Sequence, residues 1–209
     1  MPRSLNANAV YILDALRSPR GAAKANGALS SIHPVDLLAR MITALMARHQ
    51  LEKNAFSDFI VGNVTQFKDQ GANIAKTAAI YADVGDAVPG VTLNRYCTSG
   101  LEAVQFAALK MMAGEHSVLA GGVEMMSRVP MFSDQGAWFE DETVRSKTQF
   151  IHMGLAADWV ATRYGIAREA CDEFAWRSHQ KAHAANALTF SSLVPVLAGE
   201  TWHIHDEPI

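Results

Sequence analysis

Two short runs, FIVGNV at 59–64 and SVLAGGV at 117–123, are apolar on both faces of an extended chain. A strand with one wet face alternates apolar and polar residues, and these do not, so both faces must be covered. Between and around them the period changes. Val35, Leu38, Met41, Ile42, Leu45 and Met46 fall on one side of a helix. Residues 73–84 form an Ala-rich helical stretch stopped by Gly85, and 101–112 (LEAVQFAALKMM) form another, closed by Ala113-Gly114. VTLNRY at 91–96 favours a strand that begins after Pro89-Gly90, and AVYILDA at 9–15 reads as the first strand of the series. Strands alternating with helices specify an α/β fold with a mainly parallel sheet covered on both sides.

From about Arg128 the texture changes. Residues 131–149 mix Pro, Gly, aromatic and charged residues without a period and read as a long excursion loop. Helices are expected over 154–164, closed by Gly165, and from Arg168 to about Leu188, followed by a strand at 193–197. These changes predict an α/β domain over 1–127 and a partial, helical domain over 128–209. A chain of 209 residues, 49% apolar, with four Trp and nine Phe, has ample material for a folded core. Its net charge of −3 gives no broad basic surface, which argues against nucleic acid as a partner. No segment reaches the roughly 20 apolar residues of a membrane span, and the N-terminus lacks the pattern of a signal peptide. Two cysteines in a chain of this size fit a reducing cytoplasm better than an export route.

The chemistry-bearing residues cluster at turns. Cys97 lies where the 91–96 strand breaks, just before an apolar helix. A helix N-terminus presents unpaired N–H groups and partial positive charge, which favour thiolate over thiol. The rival reading is a structural cysteine. GGVEMMS at 121–127 follows a buried strand and places Glu124 at the mouth of the sheet, where α/β ligand sites occur; the rival there is a tight turn with a hydrogen-bonded carboxylate. His152 opens a helix and could face a ligand or solvent. His179 and His183, one helical turn apart, and His203 and His205 have metal-compatible spacings without an acidic or thiolate complement, which favours solvated faces. Cys171 has no activating neighbour in its helix. The polar loop at 66–73 is either a partner contact or a helix cap with Asn73 as capping residue. The Gly-Gly step at 121 lacks the pattern of a phosphate-cradling loop.

Together these stretches resemble the N-terminal half of thiolases, the acyl-CoA C-acyltransferases. The resemblance runs through Arg17-Ser-Pro19, QGAN at 70–73, NRYCTSGL at 94–101, AGGVEMMS at 120–127, His152-Met-Gly154, and the helix from Arg168 through Ala185. It implies a thiolase-like layered fold, with an N-terminal β-α-β-α-β half and part of a helical loop domain. It further implies that Cys97 is the acyl-accepting nucleophile, that its backbone N–H helps form an oxyanion hole, and that His152 and Met153 line the acyl-CoA pocket. Coenzyme A enters as substrate, and no cofactor or metal is implied. Partners implied are acyl-CoA, further copies of the chain in a dimer or tetramer, and a chain that supplies the remaining half of the site.

The chain departs from the family pattern in one respect. It contains neither the Gly-His-Pro nor the Cys-x-Gly segment that carries the thiolase acid–base groups. On the resemblance it stops within the loop domain, before the last strand of the N-terminal half. The helix after Cys97 should then present an uncovered apolar face. Two rivals follow: a non-catalytic acyl-CoA- or partner-binding module, and a related condensing enzyme such as a ketoacyl synthase, which the 121–127 and 152–154 stretches fit less well.

Overall fold

The computed structural model describes residues 9–207, which form two compact units: 9–131 with 191–207, and 132–190. In the first unit, α1 (Pro34–His49) begins with proline at its first position, where the missing N–H is no loss. The His33 side chain accepts from Val35 N, and Gln50 ends the helix in the left-handed conformation. There follow β1 (Asp58–Gly62), a 3-10 turn (Lys68–Gln70), α2 (Ile74–Tyr81), β2 (Val91–Leu93), α3 (Ser99–Met112) and β3 (Val118–Gly122). The β1-α2-β2-α3-β3 run is the expected β-α-β-α-β unit. Its three strands are all parallel, in the order β2-β1-β3.

The central strand β1 is buried along its whole length, as its doubly apolar sequence requires. Phe59 and Val61 face α1 and α2 in one core cluster with Leu38, Ile42, Ile74 and Val84. Ile60 faces the other way, against Ala103 and Ala107 of α3. The small alanines let α3 lie close to the sheet. Its outward face carries exposed Leu101, Phe106, Leu109 and Met112.

Residues 9–15 form no strand. Ile12 and Leu13 are 77% and 89% exposed, and the only pairing nearby is an isolated bridge between Arg17 and Leu193. A strand needs a neighbour for its backbone groups, and β-forming side chains alone do not supply one. The segment that follows is held by the 191–207 return instead. Arg17 makes a bidentate pair with Asp206 (2.7 and 3.0 Å) and its N–H donates to Ser192 O. Glu207 Oε2 accepts from both Ala22 N (2.6 Å) and Ala28 N (2.9 Å). Hydrogen bonding from Arg17 holds the Asp206 carboxyl below the usual range, and the Ala22 and Ala28 amides do the same for Glu207. In the return, β4 (Val196–Ala198) and β5 (Thr201–His203) form an antiparallel hairpin around Gly199, in the left-handed region at φ 59°. Thus 191–207 belongs with the α/β unit, unlike the division at 127/128 drawn from sequence texture.

The second unit contains α4 (Ala137–Glu140), α5 (Glu142–Thr148), α6 (Met153–Tyr164) and α7 (Arg168–Asn186). The stretch expected to be an irregular loop at 131–149 therefore holds two short helices. Asp141 caps α5 by accepting from Val144 N at 2.8 Å. Among the described residues no helix is long and apolar enough to cross a membrane.

Candidate active site

The turn that carries Cys97 is built by side chains of its neighbours. After Leu93 the ladder stops, because Asn94 turns its side chain onto the backbone and its Oδ1 accepts from Tyr96 N at 2.7 Å. Tyr96 adopts φ 48°, the left-handed region that a bulky residue rarely enters. Ser99, buried, fixes both sides of the kink: its Oγ donates to Tyr96 O (2.6 Å) and accepts from Arg95 N (2.8 Å). Thr98 Oγ1 donates to Arg95 O. The chain then enters α3 at Ser99, two residues earlier than the Leu101 start suggested by helix propensity. Arg95 and Glu102 pair at 2.9 Å and tie the turn to the first helical turn.

Cys97 is exposed and forms no disulfide. It stands just before the N-terminus of α3, beyond the carboxyl end of β2, where ligand sites gather in parallel sheets.

Beneath this turn the backbones meet. A Cβ built on Gly62 would lie 2.3 Å from Ser99 C, 2.4 Å from Ser99 O and 2.6 Å from Gly100 N. Only glycine at the end of β1 lets the start of α3 sit where it does.

Glu124 satisfies the bland reading of its motif. Its carboxylate accepts from Val64 N (2.7 Å), Gln70 Nε2 (2.9 Å), Thr65 N (3.3 Å) and Asn63 Nδ2 (3.3 Å). It thus ties the loop after β1 to the loop after β3. Asn63, 1% exposed, also donates to Val123 O, while its Oδ1 is buried without a partner. Gln70, buried in the 66–73 loop, donates to Glu124 and accepts from Met125 N at 2.6 Å. Asn73 is the helix cap: its Oδ1 accepts from Lys76 N.

In the second unit His152 is the N-cap of α6, and its ring packs edge-on against Phe132 (5.7 Å) and Phe150 (5.6 Å). Phe139 and Trp138 extend the same aromatic cluster. Met153 is the exposed first residue of α6. His179, His183 and Cys171 all lie exposed on α7. Among the described residues no three His, Cys, Asp or Glu side chains gather as a metal site.

Sequence reasoning singled out Cys97 and Glu124 and placed Asn94 and Ser99 in the 94–101 motif, but gave neither of these two a role and missed Gly62. Asn94 carried a readable signal, since Asn two residues before a kink is the spacing of an Asx turn. Gly62 carried none, because the backbone it accommodates is 37 residues away in Ser99.

The profile of the family described as "Thiolase, N-terminal domain" matches residues 10–203. The chain is 42% identical over 179 residues to the 3-ketoacyl-CoA thiolases of Cronobacter sakazakii and of Escherichia coli K12. The match covers 84% of this chain and 46% of each relative, so the chain spans about half the length of the curated relatives it matches. Among solved structures, the acetyl-CoA acetyltransferase of Bacillus anthracis superimposes with a TM-score of 0.72 at 31% identity, over 91% of this chain and 52% of that one.

Proposed function

The chain belongs to the thiolase family, and on that premise we propose that it performs the acyl-capture step of an acyl-CoA C-acyltransferase, with Cys97 as the nucleophile. The observation that carries this reading is the thiol's position: exposed, outside any disulfide, on a braced turn just ahead of α3. In thiolysis the Cys97 thiolate adds to the keto carbon of a 3-ketoacyl-CoA. The carbon–carbon bond beside it breaks, its electron pair departs on the enolate of acetyl-CoA, and that enolate takes up a proton. The acyl group stays on sulfur as a thioester. A CoA thiolate then adds to the thioester and expels Cys97. Run in reverse, two acyl-CoA molecules condense. Covalent capture replaces one difficult step by two easier ones.

The backbone N–H of Cys97 serves as an oxyanion donor in this scheme, and His152 and Met153 line the acyl-CoA pocket. The aromatic packing of the His152 ring supports a fixed rather than a mobile imidazole. Coenzyme A acts as substrate, and the reaction calls for no cofactor or metal. The protons of both half-reactions need an acid–base pair that the resemblance assigns to Gly-His-Pro and Cys-x-Gly segments absent from these 209 residues. Without such a pair turnover falls by on the order of 10²–10⁴. We place the activity in the reducing cytoplasm, in keeping with two free, exposed thiols.

Incubation with acetyl-CoA or acetoacetyl-CoA followed by peptide mass spectrometry tests the assignment. An acetyl group on Cys97, and none on Cys171, is the expected result. A folded protein without the adduct overturns it. The exposed apolar face of α3 favours a second reading, a non-catalytic module that binds a partner or another copy. Sedimentation showing a monomer without CoA affinity excludes that one.

A further inference from the structure

Resting on the reading of Cys97 as nucleophile, we infer that Glu124 is a positioning residue for the Cys97 turn, acting through the Val64–Thr65 peptide and the Asn94 carboxamide. The Thr65 N–H donates to Glu124 Oε1 (3.3 Å), and the Val64 C=O of the same peptide accepts from Asn94 Nδ2 (3.1 Å). A trans peptide points its N–H and C=O in opposite directions. Holding the N–H on Glu124 therefore aims the carbonyl at Asn94. The second oxygen of Glu124 takes the Val64 N–H at 2.7 Å, which leaves that stretch of loop little freedom to rotate.

The Asn94 side chain reads this orientation. Val64 O can only accept, so the Asn94 NH2 must face it, and Oδ1 is then turned to Tyr96 N. Reversing the carboxamide would set oxygen against oxygen and N–H against N–H. Tyr96 sits in the left-handed region, a strained conformation that persists only where surrounding bonds over-determine it. The next residue is Cys97. A carboxylate on the loop after β3 thus sets a kink at the end of β2, across the intervening β1.

The relay is testable without CoA chemistry. Alkylation by iodoacetamide is followed at Cys97, with exposed Cys171 in the other unit as internal reference. Glu124→Gln cannot accept from both loop amides. Asn94→Asp keeps the acceptor for Tyr96 N but loses the donor to Val64 O. Each substitution is expected to slow Cys97 relative to Cys171 roughly 10-fold, because the alkylation rate of a thiol follows the exposure and local surroundings that the kink gives it. The double variant should be no slower than the worse single, since both break one path. Faster exchange of the Tyr96 amide should accompany both. Additive losses, or a wild-type Cys97 rate in either single variant, overturn the relay. If Glu124→Gln fails to fold, the comparison moves to Asn94→Asp against Asn94→Ala. Equal slowing supports the relay, and a wild-type rate for Asn94→Asp refutes it. Acetyl-CoA labelling of the wild type is scored separately: its failure removes the acyl-transfer reading while leaving the alkylation comparison decisive for Glu124.

Discussion

Adding one methyl group at Gly62 should disable the Cys97 turn from beneath. The new Cβ would stand 2.3 Å from Ser99 C and 2.6 Å from Gly100 N, both backbone atoms that no rotamer change can move aside. Reaching an ordinary contact of about 3.5 Å requires a displacement of about 1.2 Å. The strand cannot supply it, because Gly62 is in register with Leu93 on one side and Gly122 on the other. The start of α3 must move instead, and it carries Cys97 with it. Overpacking of this kind costs about 1–3 kcal/mol, and a shift of about 1 Å at a reacting group lowers its rate by on the order of 100-fold. Urea unfolding of Gly62→Ala gives the first quantity and the time course of acetyl-Cys97 formation gives the second. Gly100→Ala is the control. Its Cβ would meet nothing within 4 Å, and replacing glycine by alanine in a helix gains about 0.5–1 kcal/mol. If Gly62→Ala matched the wild type in both assays, the close approach would not constrain the nucleophile and the reasoning would fail.

Asp206 and Glu207 titrate below the usual carboxylate range in the folded chain, because Arg17 and the Ala22 and Ala28 amides favour their charged forms. Depressed folded values mean that their stabilisation is complete only above the unfolded values, from about pH 5 upward, and is lost as pH falls through the folded values. Urea midpoints of wild type and Asp206→Asn should therefore differ at pH 7 and converge only as pH falls through the lowered folded value; a constant gap would show that the pair does not act through ionisation. Asn73→Ala removes the cap on Lys76 N and the bonds to Gly90 O and Thr92 Oγ1, and should lower the unfolding free energy by about 1–2 kcal/mol. Leu109→Gln with Met112→Gln changes only exposed side chains of α3. The pair should reduce the apparent mass in sedimentation, and a wild type that is already monomeric would refute a role for that face in association.

Local signals were enough wherever the cause of an element lay within it. The doubly apolar run at 59–64 that holds most of β1, the capped α1 and the small-residue break at 97–100 all follow from adjacent residues. Residues 9–15 carry β-forming side chains, yet whether they pair depends on a neighbour that their own sequence does not encode. Asp141, an ordinary capping residue, marked α5, but the aromatic residues around it disguised the period. The position of Cys97 was legible as a turn before a helix. The brace under it was not, because the donors to Glu124 come from residues 63–70, some 54 to 61 positions earlier. Carboxylate and donors meet only because β1 and β3 lie side by side.

The chain leaves the α/β unit after Met131 and rejoins it at Ser191. Both ends of that excursion are fastened within the first unit: Val129 is fully buried and Arg128 is paired with Asp69, while Ser191 O and Ser192 O accept from Arg48 and Arg17. Residues 132–190 are therefore a guest inserted between two moored points. Lengthening such a guest is thermodynamically mild, since doubling a loop adds only about 0.6 kcal/mol to the closure term. Under the proposed function, His152 and Met153 ride on the guest and Cys97 on the host. The segment that carries His152 and Met153 can then change in length without altering the turn that carries Cys97 or its brace.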